Sequence, residues 1–174
     1  MIHNALKTTC DELDTLLKEL PLSILNESVF RFFFVRNLLQ QRKNCSLQLE
    51  WHRFDLLVQD EGKNILIEFK FYTVPTGHNL AGKGTWRKGG PGGKNFEEFK
   101  RCVRKLDKVD ECAWRRDEEG KIDGKYLILA YEGDSGYHKY YKTINYPGEL
   151  KKKPVHRRPT HNFGNMICKL IEIR

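Results

Sequence analysis

The sequence has few of the residues that staple small or unusual proteins together. Cys10, Cys45, Cys102, Cys112 and Cys168 make an odd number, and no two stand in a CxxC spacing. That argues against a disulfide framework and against a structural zinc cluster, and it leaves reduced thiols, as expected of a cytoplasmic protein. No stretch approaches the roughly 18 apolar residues of a membrane helix. The most apolar run, Val29 to Val35, is broken by Arg31. Met1 to Asp14 is polar and partly acidic, so it does not read as a signal peptide. His3, His52, His78, His138, His156 and His161 include no HxH or HExxH, which leaves a histidine-based zinc hydrolase poorly supported. Gly82-Lys83-Gly84 does not sit between a strand and a helix in a GxGxxG pattern, so it carries no nucleotide fingerprint. No internal repeat is visible.

What is present fits an ordinary globular chain. With 174 residues, 39% hydrophobic and 31% charged, one domain spanning 1–174 is expected. The net charge is +8 and the pI about 9.2. Its distribution says more than its total. Residues 74–116 carry eleven Lys/Arg against five Asp/Glu, and residues 139–161 carry seven against one. The remainder is net acidic. Two basic segments suit a protein that follows a phosphate backbone, although a solvated basic surface gives the same count.

Along the chain, 11–19 reads as a short helix, with Leu13, Leu16, Leu17 and Leu20 on one side. After Pro21 a second helix is expected over 22–41. Its wide apolar face carries Leu25, Val29, Phe30, Phe32, Phe34, Leu38 and Leu39, and Asn26 or Ser23 could cap its start. Strands are expected at 47–51, 53–59 and 64–72. Residues 74–95 form a glycine-rich basic loop, longer than most structureless connections. Trp86 within it could stack on a base or pack the loop down. An amphipathic helix over 96–113 buries Phe96, Phe99, Val103, Leu106 and Ala113. A charged turn leads to a strand at 126–131. A helix at 137–144, a basic loop at 151–160 and a last strand at 166–173 complete the reading.

The segment 53–72 carries the chemistry. Residues two apart on a strand share a face, so Glu68 and Lys70 point together with Leu66 and Tyr72, while Ile65, Ile67, Phe69 and Phe71 point to the core. On the preceding strand Asp55, Leu57 and Gln59 share one face, and Phe54, Leu56 and Val58 the other. A two-residue turn at Glu61-Gly62 sets Asp55 opposite Glu68, with Cβ atoms roughly 4.5–5.5 Å apart. Opposed carboxylates repel, and a divalent cation offsets that directly. Hard oxygen donors at this spacing suit Mg²⁺, with Mn²⁺ as a substitute. Lys70 lies within reach of the same cavity, where an ammonium can orient water or stabilise charge developing on phosphate. A surface salt bridge is the plainer reading, and a one-residue register shift would separate the two acids.

Asp55 followed, twelve residues later, by Glu68-Phe69-Lys70 resembles the PD-(D/E)XK nuclease superfamily. The match lies in Arg-Phe-Asp-Leu-Leu-Val, a turn, then Ile-Leu-Ile-Glu-Phe-Lys. Phe54 stands where the family usually has proline. The order of elements also matches the family's restriction-endonuclease-like αβββαβ core, an α/β fold with a mixed central sheet flanked by helices. The core would span about 22–131, followed by a basic C-terminal extension at 132–174. The resemblance implies a Mg²⁺-dependent endonuclease hydrolysing phosphodiester bonds, with DNA the expected substrate ahead of RNA. It implies that Asp55, Glu68 and the Phe69 carbonyl hold the metal and that Lys70 is catalytic. An acid from the first core helix often joins, and Glu27 is the candidate, although a carboxylate there also complements the helix dipole. Glu50 is a weaker substitute. Lys83, Arg87, Lys88, Lys94, Lys100, Lys152, Arg157 and Arg158 are the candidates for contact with nucleic acid. A solvated helix face is the competing account of Lys100. A homodimer is in keeping with the resemblance, and no membrane partner is expected. The alternatives are a binding module that keeps such a fold without its chemistry, or a small interaction protein whose basic loops bind RNA or acidic partners.

Overall fold

The computed structural model describes residues 1–73, 77–78, 85–86, 93–111, 121–133 and 156–173. Among them are three helices, α1 (Ile2–Leu16), α2 (Glu27–Gln41) and α3 (Gly93–Asp107). The strands are β1 (Ser46–Trp51), β2 (Phe54–Asp60), β3 (Lys63–Tyr72), β4 (Gly77–His78), β5 (Thr85–Trp86), β6 (Ile122–Glu132), β7 (His156–Phe163) and β8 (Met166–Ile173). Six strands form one mixed sheet in the order β1-β2-β3-β6-β8-β7. Only β3 and β6 run parallel, and a parallel pair needs a crossover, which α3 supplies. All other neighbours in the sheet are antiparallel.

The chain is an α/β protein in three layers. One face of the sheet carries Leu56, Val58, Ile67, Phe69, Ile128, Ala130, Cys168 and Leu170, packed against α1 and α2. The other carries Leu57, Leu66, Tyr72, Leu127, Leu129, Tyr131, Ile171 and Ile173, packed against Phe99, Cys102, Val103 and Leu106 of α3. Burial on both faces explains why residues 126–131 of β6 read as an unbroken apolar run. No helix among the described residues is long and apolar enough to cross a membrane.

Several boundaries differ from the expectation. The first helix begins at Ile2, because Ile2, Ala5, Leu6, Thr9, Cys10 and Leu13 form a buried stripe at helical spacing. Small and hydroxyl residues hide that stripe from a reader counting leucines. Residues Leu22–Ile24 form a separate 3-10 turn, and α2 starts after Asn26, whose side chain accepts from the Val29 N–H at 3.0 Å. Phe32 and Leu39, expected in the apolar face, are exposed, since Phe30, Phe34, Asn37 and Leu38 make the buried stripe. The Asn37 amide nitrogen donates there to Thr9 Oγ1 and Glu12 Oε2, while its buried Oδ1 has no partner. The helix after the glycine-rich segment spans Gly93–Asp107, then a 3-10 turn over Val109–Glu111. The strand expected at 126–131 is longer, and 156–160, expected as loop, belongs to β7. Within the glycine-rich segment Gly77 pairs with Trp86 and His78 with Thr85. The rest of that loop, most of the charged turn after α3, and the helix expected at 137–144 lie outside the described residues.

The hairpin register is the expected one. Asp60 pairs with Lys63, and the ladder runs on to Leu56 opposite Ile67. Glu61 and Gly62 both take positive φ, 50° and 75°. That is the twist a two-residue turn between right-twisted strands requires, and glycine adopts it without strain.

Candidate active site

Beyond Leu56 and Ile67 the β2–β3 ladder gives way to side chains. The Phe69 N–H donates to Asp55 Oδ2 at 2.7 Å, and the Asp55 N–H donates to Glu68 Oε2 at 3.3 Å. Each carboxylate is therefore anchored by the backbone of the opposite strand, and the expected juxtaposition of Asp55 and Glu68 is present. The strand entering this point is distorted at Glu50, with φ of 54°, and the two-residue turn His52-Arg53 that follows has φ of 44° and 71°, all in the left-handed region that non-glycine residues rarely adopt. Phe54 lies in the cluster beneath α3, together with Leu57, so regular alternation fails at Asp55. This corrects the expectation that Phe54 shares a face with Leu56 and Val58.

Glu68 has 5% of its side chain exposed and Lys70 11%. They lie between Leu66 and Tyr72 on the face covered by α3. Burial, and then the Asp55 carboxylate, raise the Glu68 carboxyl above its ordinary value, while Lys105 opposes the rise. Lys105, from α3, places its Nζ 2.6 Å from Glu68 Oε1 and donates at 2.6 Å to the Arg53 carbonyl. The same ammonium stands 4.5 Å from the Phe54 ring centroid. On the other side Arg31 of α2 reaches Asp55 Oδ1 at 3.4 Å and Glu50 Oε1 at 2.6 Å.

Lys70 sits between two acids, Glu27 of α2 at 3.8 Å and Glu98 of α3 at 3.5 Å. Burial works to lower its pKa, but Glu27 first, and Asp55 and Glu68 among others, outweigh it and leave the ammonium held above its usual value. Glu27 is raised, chiefly by burial, with Lys70 acting against the rise. Cys102, close to these charges, is pushed by burial up to about 12, so its thiol keeps its proton.

Of the residues singled out from sequence, Asp55, Glu68, Lys70 and Glu27 come together. Glu50 joins through Arg31. Phe69 turns its ring into the core against Phe30 and Phe34. Lys100 pairs with Glu97 at 2.5 Å and lies over Phe96, and Lys94 is exposed in the first turn of α3. Arg157 and Arg158 fall in β7, three strands from β3 and so roughly 14 Å away at the usual strand spacing. Lys83, Arg87, Lys88 and Lys152 lie outside the described residues. Arg31, Glu98, Cys102 and Lys105 were missed. Their signal was spacing: Glu98, Cys102 and Lys105 recur at i, i+4, i+7 beside the apolar stripe of α3, and Arg31 is one turn after Glu27.

The pair of carboxylates supplies hard oxygen donors, and an ammonium already lies against one of them, so the donor set fits a small divalent cation. No group of three or more His, Cys, Asp and Glu side chains placed to hold a metal occurs among the described residues. Neither family models, nor curated proteins, nor solved structures yield a match to the chain.

Proposed function

We propose that this chain is a metal-dependent nuclease of the PD-(D/E)XK type, hydrolysing phosphodiester bonds, most simply as an endodeoxyribonuclease. The observation that carries the reading is the pairing of Asp55 and Glu68 across one hairpin, with Lys70 on the same face of β3. The succession α2, β1, β2, β3, α3, β6, with the short β4 and β5 inserted between β3 and α3, supports it, as it follows the order of a restriction-endonuclease-like core. Asp55, Glu68 and the Phe69 carbonyl would hold Mg²⁺ or Mn²⁺. When bound, the ion supplies charge neutralisation at the phosphate and eases the ionisation of water. Lys70 keeps its proton at neutral pH and so acts as a donor and positive charge toward a phosphate oxygen. Glu27, with its carboxyl raised, is suited to accept a proton near Lys70. The net charge of +8 favours a polyanionic substrate, with Lys94, Lys100, Arg157, Arg158 and the basic loops as contacts.

The test is cleavage of plasmid, linear duplex and single-stranded DNA, and of RNA, by wild type and Lys70→Ala, with Mg²⁺, Mn²⁺ or EDTA. Metal-dependent cutting that the variant loses is the expected result. Equal cutting by both proteins would refute the assignment of Lys70. A second reading, a binding module with this fold and no turnover, draws on one feature: Arg31 and Lys105 already neutralise the two carboxylates. Nucleic-acid binding that metal does not change, without cutting, would establish it.

A further inference from the structure

Lys105 is not placed like a surface lysine. Its Nζ lies 2.6 Å from the most buried carboxylate of the site, and it is bound on two other sides that involve neither carboxylate. One is the Arg53 carbonyl at 2.6 Å, the other the face of Phe54 at 4.5 Å. Arg31, the other cation at the pair, holds Asp55 at 3.4 Å and is engaged more closely by Glu50 at 2.6 Å. Of the two, Lys105 is the tighter partner of the pair.

We propose that Lys105 is a resident counter-ion that competes with the divalent cation for Glu68, so that a metal ion binds only as the ammonium leaves Glu68 Oε1. The inference rests on the reading of Asp55 and Glu68 as a metal site. Two positive charges cannot share one carboxylate oxygen at contact distance without a large repulsion. Lys105 can yield, because the Arg53 carbonyl and the Phe54 ring remain as its partners and a third of its side chain faces solvent. The consequence is a site that keeps its buried acids compensated and sets a threshold concentration for the cation. Metal affinity is lower than the carboxylates alone would give. A charge-assisted hydrogen bond of this kind corresponds to about 10- to 100-fold in an equilibrium constant.

The experiment is direct titration of Mn²⁺ into the purified full chain, followed by the loss of the free-ion electron paramagnetic resonance signal and by calorimetry. The proteins are wild type, Lys105→Met, Lys105→Gln, Lys105→Arg and Glu68→Gln, each checked for a cooperative melt. Lys105→Gln keeps a donor for the Arg53 carbonyl and guards against loss of fold in Lys105→Met. The expected result is Mn²⁺ binding tightened 10-fold or more in the Met and Gln variants, unchanged within about twofold in Lys105→Arg, and abolished in Glu68→Gln. If wild type binds Mn²⁺ through Glu68 and both neutral variants bind equally or more weakly, Lys105 is a positioning residue and the competition is refuted while the metal site stands. If none of the folded proteins binds Mn²⁺, both the inference and the metal reading fall.

Discussion

Asp55 has two jobs in this structure, and two substitutions separate them. Its Oδ2 accepts the Phe69 N–H at 2.7 Å, and its Oδ1 faces Arg31 at 3.4 Å. Phe69 is fully buried, so water cannot replace a lost acceptor for its N–H. Asp55→Ala strands that donor, which costs about 1–3 kcal/mol. For a domain of this size 1 kcal/mol lowers Tm by roughly 2–4 °C, so a fall of about 2–12 °C is expected. Asp55→Asn keeps an oxygen for the same N–H and removes a like charge from beside Glu68. Arg31 retains Glu50 at 2.6 Å. The Asn variant is therefore expected to melt within about 3 °C of wild type. Under the proposed nuclease function, both variants are expected to lose cleavage by at least about 100-fold, since neither keeps the carboxylate charge. The assay is a thermal melt by circular dichroism beside plasmid cleavage in Mg²⁺. Equal loss of Tm in Asn and Ala would refute the anchoring role. A folded Asp55→Asn protein that cuts at the wild-type rate would refute the assignment of the carboxylate.

Three further outcomes follow from the packing and the charges. The carboxyl of Glu68 is raised above its ordinary 4.5, by burial first. The stability it contributes is complete below that value and is lost as pH rises through the raised one. The Tm difference between Glu68→Gln and wild type should therefore move in favour of the variant as pH is taken upward from 4.5 in metal-free buffer, and a gap that stays constant or moves the other way refutes the sign. Phe69→Ala removes a ring lying 5.3 Å from that of Phe34 and 6.2 Å from that of Phe30. Urea denaturation should show a loss of about 3–5 kcal/mol, and a loss below about 1 would mean the site collapses without a cavity. Asn26→Ala should cost about 1 kcal/mol through the unpaired Val29 N–H, seen as a Tm lower by roughly 2–4 °C, and no change would mean that α2 is not capped by that side chain.

The hairpin was legible because its information is local. Alternation from Ile65 to Phe71 and a turn with glycine at its second position fix both the face and the register, and the β2–β3 pairing follows them. The α3 stripe of Phe99, Val103 and Leu106 was legible for the same reason. The first helix was legible only from residue 11 onward, because Ala5, Thr9 and Cys10 carry its buried face as fully as leucines do. The strand at 156–163 was hidden by its composition: His156, Arg157, Arg158 and Pro159 weigh toward loop, and pairing of His156, Arg157 and 160–163 with the apolar β8, across an irregularity between Arg157 and Thr160, makes the segment strand. The apolar excess of α2 was misread in the opposite sense. A helix with apolar residues on most sides gives no periodic signal, so only tertiary packing decides that Phe30 is buried and Phe32 exposed.

Opposed carboxylates on a hairpin invite the search for a cation, and the fold answers with two from its own chain. Helical spacing marks both residues, but their meeting with the hairpin was not legible, because each comes from a helix far from it in sequence whose approach depends on both layers. Arg31 comes from the α2 side and Lys105 from the α3 side, yet both reach adjacent acids. Regular pleating would not allow that, since it would confine Asp55 to the face of Leu57. The irregular backbone from Glu50 to Arg53 turns Phe54 under α3, where it supports the Lys105 ammonium, and leaves Asp55 at the point where the two layers meet. Strain at Glu50, His52 and Arg53 costs of order 1–3 kcal/mol each, and such backbone persists only where surrounding contacts hold it. Relaxing that turn should therefore separate Asp55 from Arg31 without disturbing the β2–β3 register beyond Leu56. Replacing His52 and Arg53 by Asn-Gly, which accepts the same positive φ, should preserve the site, whereas lengthening the turn by one residue should abolish it.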